Sequence, residues 1–132
     1  MSKCQTQNRA KQRVLVVDDN PMMRVILASM LINRGYEVIE ESCSETALIR
    51  LQNEAFDIVM LDIMMFRMSG IELCQIIRND LGFVDLPVVA YTANNDISNV
   101  AQMRMAGFND FLFKPADGIA LNSVLQEIKS IQ

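Results

Sequence analysis

Five short apolar runs alternate with longer segments of helical pattern along this chain, and this order constrains its fold more than any other feature. Four of the runs are apolar throughout, which is typical of parallel strands buried on both faces, and the second is weaker because it contains Glu37. The runs are residues 14–17, 36–39, 58–61, 88–91 and 111–113. Five successive β-α units predict an α/β fold, with an open, doubly wound sheet covered by helices on both faces.

Helix-capping residues stand between the runs and after the last one, and they predict five helices. The start signals are an Asn-Pro pair, two capping-box sequences and two single capping residues: Asn20-Pro21, Ser42–Glu45, Ser69–Glu72, Asn94 or Asn95, and Asp117. Gly35 and Gly107 are the stop signals of the first and fourth helices.

The length and composition of the chain fit one domain. With 132 residues, 51% of them apolar, the chain is large enough for a single core. We expect the polar residues 1–12 to be a flexible tail that is not a signal peptide, and residues 13–132 to form the domain. No apolar stretch approaches the roughly 20 residues of a membrane helix, so no membrane association is expected.

Charge, cysteine spacing and the lack of histidine exclude several kinds of site. A net charge of −4 argues against nucleic-acid binding, which needs clustered Lys and Arg. The widely spaced Cys4, Cys43 and Cys74 are predicted to be reduced thiols in a cytoplasmic protein. Without histidine, Ser-His hydrolases, Cys-His proteases and zinc-histidine sites are excluded, and a phosphohistidine would have to come from another protein.

Polar or charged side chains follow four of the five predicted strands: Asp18-Asp19, Asp62, Thr92 and Lys114-Pro115. Taken singly, each fits a helix cap, a turn or a solvated charge. Together they are predicted to meet at the carboxyl edge of the sheet. Three carboxylates there repel one another, and Lys114 with a hard divalent ion such as Mg²⁺ would compensate their charge. A carboxylate beside such cations can attack phosphorus and form an acyl phosphate.

These residues resemble the receiver domains of two-component response regulators over Arg13 to about Ile131. The resemblance lies in five motifs with the family's spacing: residues 14–20 (VLVVDDN), 59–65 (VMLDIMM), 68–70 (MSG), 90–93 (AYTA) and 113–115 (FKP). It implies a flavodoxin-like (βα)5 sandwich whose parallel strands follow the order 2-1-3-4-5. It also implies Mg²⁺ as cofactor, for which Mn²⁺ could substitute.

The resemblance implies a role for each site residue. Asp62 would be the phosphoacceptor, and Lys114 would bridge the phosphoryl group and a carboxylate. The metal site would consist of Asp19 as a direct ligand, Asp18 as a ligand through water or as a support, Asp62, and the backbone carbonyl of Met64. Thr92 would be the switch hydroxyl and Phe111 the switch aromatic, and the Lys114-Pro115 bond would be cis.

Three positions depart from the usual family pattern. Phe66 replaces a proline, and we expect it to pack locally, with a partner-docking role as the alternative. Phe111 has no hydroxyl where many relatives have tyrosine. Met64 stands where polar side chains can orient the hydrolytic water, which predicts slow autodephosphorylation.

The function implied is that of a stand-alone phosphorelay receiver, which is a phosphoacceptor rather than an enzyme. A sensor histidine kinase or histidine phosphotransfer protein would donate the phosphoryl group. A downstream protein would bind the face made by the fourth helix, fifth strand and fifth helix, and the domain would be a monomer or weak dimer. We expect that no output segment follows the last helix, with a receiver excised from a hybrid histidine kinase as the alternative.

Two other classes share parts of the pattern. Phosphatases of the haloacid dehalogenase type need an acidic residue two positions after the nucleophile, where this chain has Met64. A flavodoxin-like FMN binder needs a phosphate loop after the first strand, and Asp18-Asp19 would repel a phosphate there. A scaffold that has lost phosphorylation is not favoured, since every phosphorylation residue is present.

Overall fold

The computed structural model describes residues 11–93 and 100–131, except for the side chain of Ile131. Strands and helices alternate along the chain, as the sequence predicts. The elements are β1 (Arg13–Val17), α1 (Pro21–Asn33), β2 (Glu37–Glu41), α2 (Ser44–Asn53), β3 (Ile58–Asp62), α3 (Gly70–Gln75) continued by a π-helical turn (Ile76–Asp80), β4 (Val88–Thr92), α4 (Val100–Ala106), β5 (Asp110–Phe113) and α5 (Gly118–Ile131).

The five strands form one parallel sheet in the order β2-β1-β3-β4-β5, which confirms the predicted fold and strand order. β1 and β3 are neighbours, with Val17 paired to Leu61, and β3 and β4 are neighbours, with Asp62 paired to Tyr91. The residues that follow β1 therefore reach the edge of the sheet beside the last residue of β3.

Two cores lie on opposite faces of the sheet. Alternate residues of each central strand enter one core or the other, which explains why the runs of these central strands are apolar throughout. One core combines Leu15, Val17 and Leu61 with residues of α2, α3 and α4. The other combines Val14, Val16 and Met60 with residues of α1 and α5. Within the described residues, no helix is both long enough and apolar enough to span a membrane.

Most of the predicted helix signals are confirmed. Asn20 Oδ1 accepts the backbone N–H groups of Met22 and Met23, with Pro21 at the start of α1. Ser69 and Glu72 form the predicted capping box of α3. Asp117 caps α5 by accepting the Ala120 N–H. Gly35 and Gly107, both with positive φ, follow the ends of α1 and α4. Asn94, Asn95 and Cys4 lie outside the described residues.

The predicted capping box at Ser42–Glu45 is wrong. Cys43 occupies the cap position of α2 in extended conformation and makes no side-chain capping bond. The helix begins at Ser44, whose hydroxyl is fully buried and donates to the Met68 backbone oxygen at 2.9 Å. This contact with the loop before α3 fixes where α2 begins, and a pattern within residues 42–45 does not contain it.

Candidate functional site

The predicted carboxylates come together because β1 and β3 are adjacent and parallel. Asp18 and Asp19 follow β1 directly, and Asp62 is the last residue of β3. One oxygen from each of these carboxylates lies within 4.8 Å of the other two. Asp18 and Asp62 are buried, whereas Asp19 is exposed. The result is a negatively charged cluster with one side open to solvent.

Lys114 is placed against this cluster by β5. Its Nζ lies 2.7 Å from Asp18 Oδ2 and 3.3 Å from Asp62 Oδ2, and its side chain is only 10% exposed. Its backbone N–H donates to the Thr92 carbonyl, and the following Lys114-Pro115 peptide bond is cis. The ammonium therefore bridges both buried carboxylates.

The positive charge of Lys114 does not offset the cost of burying Asp62 beside Asp18. Burial, with a further contribution from the Asp18 carboxyl group, raises the pKa of Asp62 to about 7. The charge of Lys114 and the hydrogen bond that the Met64 N–H donates to Asp62 Oδ1 at 3.1 Å lower it in part. Negative charge is therefore in excess here, and a second cation would stabilise the ionised form.

The residues fit a divalent cation. Among the described atoms, Asp18 Oδ2 is buried and makes no aligned hydrogen bond, although Lys114 Nζ is an ion-pair partner at 2.7 Å. The Phe66 N–H donates to Asp19 Oδ2 at 3.4 Å, and Asp19 remains exposed to solvent. Carboxylate oxygens with one side open to water are the donors that Mg²⁺ prefers.

Thr92 and Phe111 lie on neighbouring strands and face the same side of the sheet. Phe111 pairs with Ala90, two residues before Thr92, so the alternation of side chains places all three on one face. Thr92 is buried, while Phe111 is half-buried and its ring centroid lies 4.8 Å from the Arg104 guanidinium carbon.

The expectation that Phe66 packs locally is wrong. Its side chain is 79% exposed, and Met64 is 75% exposed. Met65 and Met68, on either side, pack against the core below α2 and α3, and the two residues between them, Phe66 and Arg67, are exposed. Arg67 adopts a positive φ of 72° in this loop. Two apolar side chains are therefore presented to solvent beside the carboxylates.

Two structural residues were not predicted, one beside the site and one at the opposite edge of the sheet. Gly70, at the start of α3, lies directly against the backbone of Asp62 and Ile63, and the motif at residues 68–70 was its sequence signal. Arg78 joins α3 to β4 and β5 by donating to three backbone carbonyls and one side chain: Phe83, Leu86, Gly107 and Asn109. Burial lowers its pKa. In sequence it resembles any helical surface charge.

A cavity of about 460 Å³ lies at the opposite edge of the sheet. Its lining includes Phe56, Asp57, Leu86 and Pro87, which lie near the starts of β3 and β4. It is thus separated from the carboxylates by the length of the strands.

This chain is similar to known proteins both in sequence and in fold. Residues 14–126 match the family model of the response regulator receiver domain. The CAI-1 autoinducer sensor kinase/phosphatase CqsS of Vibrio cholerae is 35% identical over 89% of this chain, but the match spans 17% of that protein. The heme response regulator HssR of Staphylococcus saprophyticus is 36% identical over 76% of this chain and 44% of its own length. The chain thus spans less than half the length of these relatives.

Solved structures give the same picture. The chemotaxis protein CheY4 of Vibrio cholerae superposes with a TM-score of 0.83 and 27% identity, covering 90% of this chain and 99% of that one. The receiver domain of the sensor histidine kinase PA1611 of Pseudomonas aeruginosa, with a magnesium ion in its active site cleft, has a TM-score of 0.81. It is 28% identical over 91% of this chain and 99% of its own. By fold, motifs and family match, the chain belongs to the response regulator receiver domains of two-component signalling.

Proposed function

We propose that this domain accepts a phosphoryl group from a phosphohistidine donor onto Asp62 in a Mg²⁺-dependent reaction, and that phosphorylation switches a protein-interaction surface. The observation that carries this proposal is the cluster of three carboxylates, two of them bridged by Lys114 at 2.7 and 3.3 Å. A buried carboxylate beside an ammonium and a cation site is suited to phosphoryl transfer, which depends on positioning and charge compensation.

In this reaction one Asp62 oxygen forms a bond to phosphorus while the bond from phosphorus to the donor's imidazole nitrogen breaks. The electron pair of that bond remains on the imidazole. Asp18, Asp19, Asp62 and the backbone carbonyl of Met64 would hold Mg²⁺, which supplies charge neutralisation for the phosphoryl oxygens when bound. Lys114, whose Nζ lies 3.3 Å from Asp62 Oδ2, adds a second positive charge.

Thr92 and Phe111 would transmit the change. The Thr92 hydroxyl would donate to a phosphoryl oxygen, and the space it leaves would admit the Phe111 ring, which faces the same side of the sheet. Such a two-state equilibrium alters the surface formed by α4, β5 and α5, which a downstream protein would bind. Arg104, over the Phe111 ring, belongs to this surface.

The test of the proposal uses acetyl phosphate as a small donor. With Mg²⁺, we expect intact-mass analysis to show one added phosphoryl group, and peptide mapping after borohydride reduction to place it on Asp62. With EDTA in place of Mg²⁺ the addition should be lost. Phosphorylation at another residue, or at the same rate without the metal, would show that the proposal is wrong.

Met64 is expected to prolong the life of the phosphoryl group. Its side chain is 75% exposed and has no polar atom that could orient a water for attack on phosphorus, while its N–H is bonded to Asp62. Met64→Asn should therefore accelerate loss of the acyl phosphate several-fold, measured by mass spectrometry after removal of the donor. Equal lifetimes of Met64→Asn and wild type would refute this role, with Met64→Leu as the control that should leave the lifetime unchanged.

The exposed Phe66 is expected to contact the phosphodonor protein. A donor that brings a phosphohistidine to Asp62 must cover the loop beside it, and exposed apolar side chains often mark such contacts. Phe66→Ser should slow transfer from a phosphorylated histidine phosphotransfer protein while leaving the rate with acetyl phosphate unchanged. A parallel loss with both donors would instead assign Phe66 to the integrity of the site.

The two kinds of relative leave two contexts for the domain, a response regulator and a hybrid sensor kinase. The relatives include one protein named as a sensor kinase/phosphatase and one named as a response regulator. Acceptance of a phosphoryl group by Asp62 is common to both contexts. The complete reading frame of the gene distinguishes them.

A further inference from the structure

Arg24 of α1 lies against the loop that carries two of the three carboxylates. Its Nη1 donates to the backbone carbonyl oxygen of Asp18 at 2.9 Å, and its Nε donates to Glu40 Oε1 of β2 at 3.0 Å. The Arg24 side chain is 19% exposed and that of Glu40 is 37% exposed. One guanidinium thus joins the loop to both a helix and a strand.

The atom that Arg24 contacts belongs to the peptide group between Asp18 and Asp19. The orientation of that group fixes ψ of Asp18 and φ of Asp19, and therefore the directions in which the two side chains leave the backbone. The peptide group before Asp18 is also held, since the Asp18 N–H donates to the Glu41 carbonyl of β2 at 3.1 Å. Arg24 completes this restraint from the side of α1.

We infer that Arg24 is a positioning residue, which holds the Asp18-Asp19 peptide so that both carboxylates are preorganised for Mg²⁺. The inference rests on the proposed function, since it concerns the same metal site. A guanidinium can make both bonds at once because its donors form a rigid planar fork. A lysine ammonium keeps the charge but is a single point on a flexible stem.

Positioning and simple electrostatics predict opposite effects of removing this side chain. The positive charge of Arg24 by itself repels a cation, so its loss would tighten Mg²⁺ binding if charge were all that mattered. If Arg24 orients the ligands, its loss weakens Mg²⁺ binding, and mutation of groups that orient metal ligands typically costs roughly 10-fold or more in affinity.

The experiment is a calorimetric titration of metal-free protein with MgCl₂. The variants are Arg24→Lys, Arg24→Gln and the double variant Arg24→Gln with Glu40→Gln, which keeps the wild-type net charge. We expect all three to bind Mg²⁺ about 10-fold more weakly than wild type. Saturating Mg²⁺ should restore phosphorylation of Arg24→Lys by acetyl phosphate, because the defect lies in metal affinity.

The matched control is Arg34→Lys at the far end of the same helix. Arg34 also donates to one backbone carbonyl, that of Met30, and to one side chain, Asn122. The control should bind Mg²⁺ like wild type, and thermal unfolding without metal should shift by similar amounts in Arg24→Lys and Arg34→Lys. An affinity loss confined to the Arg24 variants separates positioning from a general loss of stability.

The outcomes are distinguishable. If Arg24→Lys binds Mg²⁺ with wild-type affinity and Arg24→Gln binds it more tightly, then Arg24 acts only through its charge. That result would overturn the inference. An equal loss of affinity in Arg34→Lys would overturn it as well. A wild-type protein that binds no Mg²⁺ would refute the metal site of the proposed function, whereas normal wild-type binding with unchanged Arg24 variants refutes the positioning role alone.

Discussion

Replacing Asp62 by asparagine is expected to abolish phosphorylation and, in the metal-free protein, to increase the free energy of unfolding above pH 7. The first effect follows because an amide cannot form the acyl phosphate. The second follows because the ionised Asp62 carboxylate is buried beside Asp18, which raises its pKa to about 7. Asparagine fills nearly the same volume without the charge.

The direction of the pH effect follows from the protons bound in each state. Between the usual aspartate pKa of about 4 and a pKa of about 7, the folded protein holds a proton on Asp62 that the unfolded chain has lost. Stability of the wild type therefore decreases as pH rises through this window, and the penalty is complete above about pH 7. A shift of this size corresponds to on the order of 4 kcal/mol, which asparagine should recover.

The measurement is thermal or urea unfolding in EDTA at pH 5 and pH 8. Asp62→Asn should exceed the wild type in stability at pH 8 and by much less at pH 5, and Mg²⁺ should stabilise the wild type more than the variant. Asp80→Asn, at an exposed carboxylate, is the control and should change stability little at either pH. An Asp62→Asn protein that still gains a phosphoryl group, or that is no more stable at pH 8, would contradict these assignments.

Gly70→Ala is expected to destabilise the fold by about 3 kcal/mol and to slow phosphorylation. A methyl group on Gly70 would overlap the backbone oxygen of Asp62 and lie 2.9 Å from the Asp62 carbonyl carbon and the Ile63 Cα. These are backbone atoms at the end of β3, so they cannot move aside as a flexible side chain would. Relief requires α3 to shift away from β3, which also displaces the Asp62 carboxylate.

Gly118→Ala is the matched control, because Gly118 is also the first residue of a helix. There the nearest described atom is Arg34 Nη2 at 3.2 Å, the end of a flexible side chain. We expect the free energy of unfolding of this variant to lie within about 0.5 kcal/mol of the wild-type value, and we expect normal phosphorylation. If Gly70→Ala unfolds with the same midpoint as Gly118→Ala, then α3 is not packed against β3 as described.

The two variants separate the chemistry of the site from its support. Asp62→Asn removes the reacting group while relieving buried charge, so function falls and metal-free stability rises. Gly70→Ala removes no reacting group but disturbs the backbone that carries Asp62, so function and stability fall together. Opposite signs of the stability change are therefore the expected signature of a carboxylate kept at a cost in folding free energy.

Much of the fold could be predicted because the signals are local. Continuous apolar runs indicated strands buried on both faces, and β3, with all five residues buried, is such a strand. Asn20, Ser69 and Asp117 cap helices through bonds to residues two or three positions away, which sequence spacing contains. The same spacing did not reveal that Ser44 starts α2, since its partner is the Met68 carbonyl, 24 residues away.

The sequence by itself determined which groups stand at the ends of the strands, since Asp18, Asp19, Asp62, Thr92 and Lys114 each follow or end an apolar run. Only the tertiary structure decided how these groups interact. The adjacency of β1 and β3 buries Asp18 beside Asp62, and that burial raises the Asp62 pKa. The tertiary structure also decided that Phe66 faces solvent and that Arg24 donates a hydrogen bond to the Asp18 carbonyl. Side-chain identity is local, whereas desolvation and long-range hydrogen bonds depend on segments brought together only by folding.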